Sequence, residues 1–299
     1  MTKRLLNLLA LLLTIGLVAA ACGDDDTAEA SDDAAESEDG DDAAAGGDGT
    51  LPDLEGREIS VAIENAYLPF NYIDAETGEP GGWDYDAIDE MCARLNCTPN
   101  YVAAAWDGMI IAVGDGQYDM AADGITITEE RAEIVDFSDG YVSVDQRLLV
   151  RIDEDRFATI AELNEGDYRI GSQVGTTNYN AAVAAFGEDS VDAFDDFGFA
   201  VQSLINGDVD AVVMDETAGS GYQGENPDDV TLLDEILASD EELGFIFPKG
   251  SDLVEPFNLV IAEMKADGTM DALLAEYFEP GSFTVTYDDI AEVEYDDAE

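Results

Sequence analysis

From residue 51 onward, short apolar runs alternate with stretches whose apolar residues recur at helical spacing. Residues 58–63 alternate apolar and polar side chains, which predicts a half-buried strand. In 85–95, Ile88, Met91, Cys92 and Leu95 fall on one face of a helix that Asn96 can end. Strand patterns follow at 101–105 and 118–122, with a helix between them that carries Met109, Ile110 and Val113 behind an Asp107 cap. The alternation resumes with strands at 168–172, 211–214, 230–233 and 243–247 and helices at 177–186 and 199–205. Two helices, near 253–265 and 270–278, close the pattern. Strands alternating with helices predict an α/β fold with largely parallel sheets, in which ligands sit at the carboxyl ends of strands.

Charge narrows the classes of function. The 299 residues include 70 Asp and Glu, 11 Lys and Arg and no histidine, a formal charge of −59. Such a polyanion is repelled by nucleic acid and by anionic lipid. Without imidazole there is no Ser-His-Asp triad, His-zinc site or His base. Neither a metal nor another cofactor is expected. The 46% of apolar residues is nevertheless enough for a packed core. Residues 51–282 alone hold 51 acids against 9 cations, so most of the charge belongs to the folding region and implies an acid-clad surface.

The N-terminus reads as an address. Lys3 and Arg4 precede an apolar run at 5–20, and small residues follow, the pattern of a secretory signal over 1–21. The run is short for a membrane span. Ala20-Ala21-Cys22-Gly23 resembles a bacterial lipobox, with Ala19 where Leu is usual. The resemblance implies that Cys22 carries lipid and holds the protein at a membrane. Residues 22–50 contain 12 acids, no cation and no aromatic ring, and are expected to form a disordered tether spanning roughly 30 Å. An exported chain meets an oxidising compartment, which favours a Cys92–Cys97 disulfide; two buried thiols are the alternative.

Three junctions place polar groups at strand ends. Asp123 to Arg131 follows one strand, Gln173 to Asn178 a second, and Asp215 a third. Gly175, Thr176 and Thr177 open a helix with free N–H groups, which suits an anion as well as an ordinary cap. Arg131 is one of nine cations after the signal; pairing with Glu130 or Glu133 is its alternative role.

The string GITITEERAEIVDFSDGY (124–141) resembles the signature of bacterial extracellular solute-binding proteins of family 3, the amino-acid-binding components of ABC importers. Further segments similar to that family arrive in order: Tyr67-Leu68-Pro69-Phe70, Gly82-Trp83-Asp84-Tyr85-Asp86, Trp106-Asp107-Gly108-Met109-Ile110, Gly175-Thr176-Thr177, Gly207-Asp208-Val209-Asp210-Ala211 before Asp215, and Lys265-Ala266-Asp267-Gly268-Thr269. Together they cover about 56–280.

The resemblance implies a two-lobed, type II periplasmic-binding-protein-like α/β fold with two hinge strands. Lobe one would be 51–142 plus 244–282 and lobe two 146–240, with hinges near 142–146 and 239–244. It also implies site roles. Arg131 would clamp a ligand α-carboxylate, shared with Thr126, Thr176 and Thr177. Asp215 and the Gly124 carbonyl would take the α-ammonium. Tyr67 and Trp106 would wall the side chain, and Glu64 would read its far end. Asp123 and Gln173 depart from the common pattern; Asp123, with Glu64, either tilts the pocket toward a polar or cationic side chain or faces solvent. A zwitterion leaving water needs such a fixed cation and anion. The expected protein is a monomeric, lipid-anchored, extracytoplasmic capture protein, not an enzyme, that binds a free polar amino acid between two closing lobes and delivers it to an ABC permease. A dehydratase on the same scaffold needs an acid poised for proton transfer; Glu64 or Asp123 could serve, but no sequence feature demands it. A sensory domain is a third reading, against which stands the lack of a second membrane segment after 280. No role is assigned to the acidic tail, 283–299.

Overall fold

The computed structural model describes residues 50–279 and, beyond them, 282, 283, 285, 290, 291 and 295. The expected signal, Cys22 and nearly all of the tether lie outside the described residues.

The first lobe is built on a five-stranded sheet. Its order is Cys97–Ala103, Arg57–Ile63, Met120–Ala121, Ile246–Pro248, Val135–Phe137. Arg57–Ile63 runs parallel to both neighbours, and its fully buried Val61, Ala62 and Ile63 need cover on both faces. Helices Trp83–Leu95 and Val254–Asp267 supply it on one side, through Ile88, Met91, Leu95, Phe257 and Ile261. Helix Met109–Gly114 supplies it on the other, through Met109 and Val113. That last helix is capped by Gly108 at φ 88° rather than by Asp107, which stays in the preceding turn.

The second sheet runs Val191–Phe194, Ile170–Gln173, Ala211–Asp215, Val142–Arg151, Val230–Leu243. The first three strands are parallel, as the alternation predicts. The last two are antiparallel to their neighbours, which it does not predict. The reason is topological: a chain that leaves one lobe and returns must cross in both directions. Sequence periodicity ends the strand at 233, yet Val230–Leu243 continues as one strand. Beyond 233 it is acid-rich, only partly covered and broken by register shifts at Ile236, Ala238 and Glu241, with Asp240 at φ 61°. Backbone pairing with Val142–Arg151, not side-chain alternation, makes it a strand.

Aromatic rings pack where the crossing strands meet the first lobe. Trp83 stacks on Tyr141 at 4.4 Å, and Tyr141 lies 4.7 Å from Phe245. Helix Trp83–Leu95 ends at Asn96 in the left-handed conformation, which turns the chain so that a disulfide joins Cys92 to Cys97 over a Cα separation of 4.6 Å. A small sheet of Ala66–Tyr67, Asn71–Ile73 and Pro80–Gly81 carries the 67–70 turn. The far end of the chain returns to this region. Ile290 bridges to Asp74, the Ala291 N–H donates to the Ile73 carbonyl at 2.7 Å, and the Tyr295 hydroxyl donates to the Glu64 carbonyl at 2.8 Å.

Candidate functional site

The three strand ends singled out by sequence converge on one small cavity between the lobes. Glu64, Tyr67, Trp106, Gly124, Thr126, Arg131, Thr176, Thr177 and Asp215, all predicted, line it. Asp123 and Gln173, which the sequence leaves open, line it too, with Asn178, which closes the second junction but to which the sequence assigns no role, and Phe197, which sequence reasoning misses. Asn178 sits one residue past the Thr-Thr pair, and Phe197 opens helix Phe197–Asn206; each reads locally as an ordinary helical residue.

Arg131 comes from the one-turn helix Glu129–Ala132, capped by the Thr128 hydroxyl on the Arg131 N–H. Its guanidinium donates to the Thr126 carbonyl at 2.8 Å and to the Gly175 carbonyl of the other lobe at 3.4 Å, and lies 5.2 Å from the centre of the Trp106 ring. It pairs with neither Glu130 nor Glu133; among the described residues it forms no ion pair. Burial pulls its pKa down, and the carboxylates of Glu241 and Asp215 oppose that.

Asp215 ends the central strand of the second sheet. The Tyr67 hydroxyl donates to its Oδ2 at 2.6 Å across the cleft. Burial pushes the Asp215 carboxyl up to about 6, against the Tyr67 hydroxyl and the Asn178 amide. Its Oδ1 is buried, with no partner at hydrogen-bond geometry among the described residues. Tyr67 is itself sandwiched between Phe70 at 5.0 Å and Phe197 at 5.4 Å. Gly124 has φ +54°, and a Cβ there would come within 2.8 Å of the Tyr67 ring, so glycine lets this loop run against the wall.

The far end holds two more acids. Glu64, 3% exposed, accepts from the Gln173 amide at 2.8 Å across the cleft. Asp123, also 3% exposed, does not face solvent; it accepts from Asn71 Nδ2 at 2.7 Å, and the same amide donates to buried Asp84 at 2.9 Å. Burial pushes Asp123 up to about 7, and burial with the facing charges of Asp123 and Asp196 holds Glu64 well above the usual carboxylate range.

Thr176 caps helix Thr177–Phe186 through its hydroxyl, which accepts from the Tyr179 N–H at 3.0 Å and donates to the Gln173 carbonyl at 2.7 Å. Thr177 faces Thr126 at 3.3 Å between hydroxyls. Among the described residues no cluster of three or more acids or cysteines could hold a metal ion.

Two α/β lobes joined by crossing strands, with a buried cation and a buried anion facing each other in the cleft, define a solute-binding protein of type II periplasmic architecture. The chain belongs to the bacterial extracellular solute-binding proteins, family 3, whose sequence model matches residues 59–280. A probable histidine-binding protein of Campylobacter jejuni is 33% identical over 221 residues, covering 73% of this chain and 84% of that protein. An ancestral arginine-binding protein bound to arginine superposes with a TM-score of 0.69 at 32% identity, covering 75% of this chain and 100% of that one. An ancestral amino-acid-binding protein that is a precursor of cyclohexadienyl dehydratase superposes at 0.68 with 31% identity, over 74% of this chain and 95% of that one.

Proposed function

We propose that this chain captures an amino acid with a cationic side chain outside the cytoplasm and hands it to the permease of an ABC importer. The observation that carries the reading is the charge balance of the cavity. It holds three carboxylates, Glu64, Asp123 and Asp215, against one guanidinium, Arg131. A zwitterionic ligand matches Arg131 with its carboxylate and Asp215 with its ammonium. That leaves Glu64 and Asp123 at the far end with no counter-charge, and a cationic side chain supplies it. The names of the histidine- and arginine-binding relatives agree with this class.

In this reading the α-carboxylate lies on Arg131, the Thr126 hydroxyl and the N–H groups at the start of helix Thr177–Phe186, with Thr176 and Gly175 shaping that turn. Asp215 and the Gly124 carbonyl receive the ammonium; Tyr67, Trp106 and Phe197 wall the stem. The lobes, 51–142 with 244–282 and 146–240, close by hinge motion, because groups from both engage one ligand. Cys22 anchors a monomer to the membrane through lipid, and 22–50 is its tether. The role is binding rather than catalysis, a reading that the binding-protein names of the relatives support.

Titration calorimetry with arginine, lysine, histidine, glutamine and glutamate tests the ligand class. Arginine, lysine or histidine is expected to bind at least tenfold tighter than glutamine, a difference of about 1.4 kcal/mol. Arg131→Ala is expected to abolish binding without unfolding the protein. Tight glutamate binding would refute the cationic reading.

A further inference from the structure

Four side chains behind the carboxylate seat form a closed ring of hydrogen bonds. Gln146 Nε2 donates to Thr177 Oγ1 at 3.0 Å and to Glu241 Oε1 at 2.9 Å. Thr126 Oγ1 donates to Glu241 Oε2 at 3.1 Å, and the two threonine hydroxyls face each other at 3.3 Å. The donors are consistent around the ring: Gln146 gives to Thr177, Thr177 to Thr126, and both paths end on the Glu241 carboxylate. Gln146 is fully buried on one crossing strand, opposite Asp215 in register; Glu241 lies on the other, beside the irregularity at Asp240. The ring therefore ties both hinge strands to one threonine from each lobe.

We infer that Glu241 competes with the ligand's α-carboxylate for the Thr126 hydroxyl and so sets how tightly the carboxylate end is held. This rests on the assignment of Arg131 and Thr126 to that carboxylate. A hydroxyl has one proton to donate. Thr126 gives it to Glu241 in this arrangement, and a ligand carboxylate at the same donor must take it. Two carboxylates sharing one donor also repel, and Glu241 is already the strongest charge acting on the Arg131 guanidinium. Glu241 touches the ligand's partner rather than the ligand, so it is a positioning residue. It restrains affinity in a protein that must also let its ligand go.

The test compares arginine with argininamide, which keeps both cationic ends and replaces the carboxylate by a neutral amide. In Glu241→Gln and Glu241→Ala the dissociation constant for arginine is expected to fall about tenfold, the scale of removing a nearby like charge from a partly buried site. That for argininamide is expected to stay within about twofold, because a merely structural change would move both ligands alike. Thermal melting establishes that each variant folds. If arginine binds the unaltered protein and its preference over argininamide is unchanged or smaller in both variants, the inference about Glu241 fails alone. If the unaltered protein binds no arginine, the functional reading beneath it fails as well.

Discussion

Replacing Asp215 with asparagine is expected to make the protein more stable and unable to hold its ligand. Asp215 is 2% exposed, and burial raises its carboxyl from 3.8 to about 6. The folded state therefore resists ionisation. Stability from this group is complete below pH 3.8, declines as pH rises, and levels off above about 6. A shift of about two units corresponds to about 3 kcal/mol of cost at neutral pH. Asparagine carries no charge and escapes that cost, and the bond from the Tyr67 hydroxyl to the ionised carboxylate is already counted within the shift. A gain of about 3 kcal/mol converts to roughly 6–12 °C in melting temperature for a domain of this size. Scanning calorimetry of both proteins from pH 4 to 8, without amino acid, reads the effect. The curves should coincide near pH 4 and separate to their full extent by pH 7. Titration calorimetry on the same samples should show that the variant has lost the ligand, since the ammonium would face a neutral amide. A variant that melts below the parent at pH 7, or a gap independent of pH, refutes the view of Asp215 as a charge kept buried for its ligand.

Two further outcomes follow from the charge pattern and the N-terminus. Residues 51–282 hold 51 acids against 9 cations, so added sodium chloride should raise the melting temperature by screening self-repulsion; a flat or falling response would show that the acid surface is not under that stress. Cys22→Ser should move the exported protein from the membrane to the soluble fraction, and retention at the membrane would exclude lipid on Cys22 as the anchor.

Much of the site was legible in sequence because its key groups lie at strand-to-turn junctions with local signatures. The Thr-Thr helix start, the arginine seven residues after a glycine and the acid closing a fully apolar strand are all short-range patterns. Asp123 shows the limit. One residue before Gly124, it reads equally as pocket or solvent, and only the Asn71 amide, 52 positions away in sequence, decides the matter by holding it in the buried cluster. Gln146 and Glu241 show it more sharply: one lies in a polar stretch of a crossing strand and the other in an acid run, and neither has periodicity to flag it.

Sequence by itself determined the α/β alternation, the acid-rich composition and the local chemistry of each turn. These depend on side-chain spacing and composition, which act within a few residues. Tertiary structure alone decided that the crossing strands run antiparallel, that 230–243 is one strand, and that Gln146, Thr177, Thr126 and Glu241 close a ring. Those outcomes depend on the register of backbone pairing between distant segments. Register determines which side chains lose water together, and between segments so far apart no connecting turn fixes it.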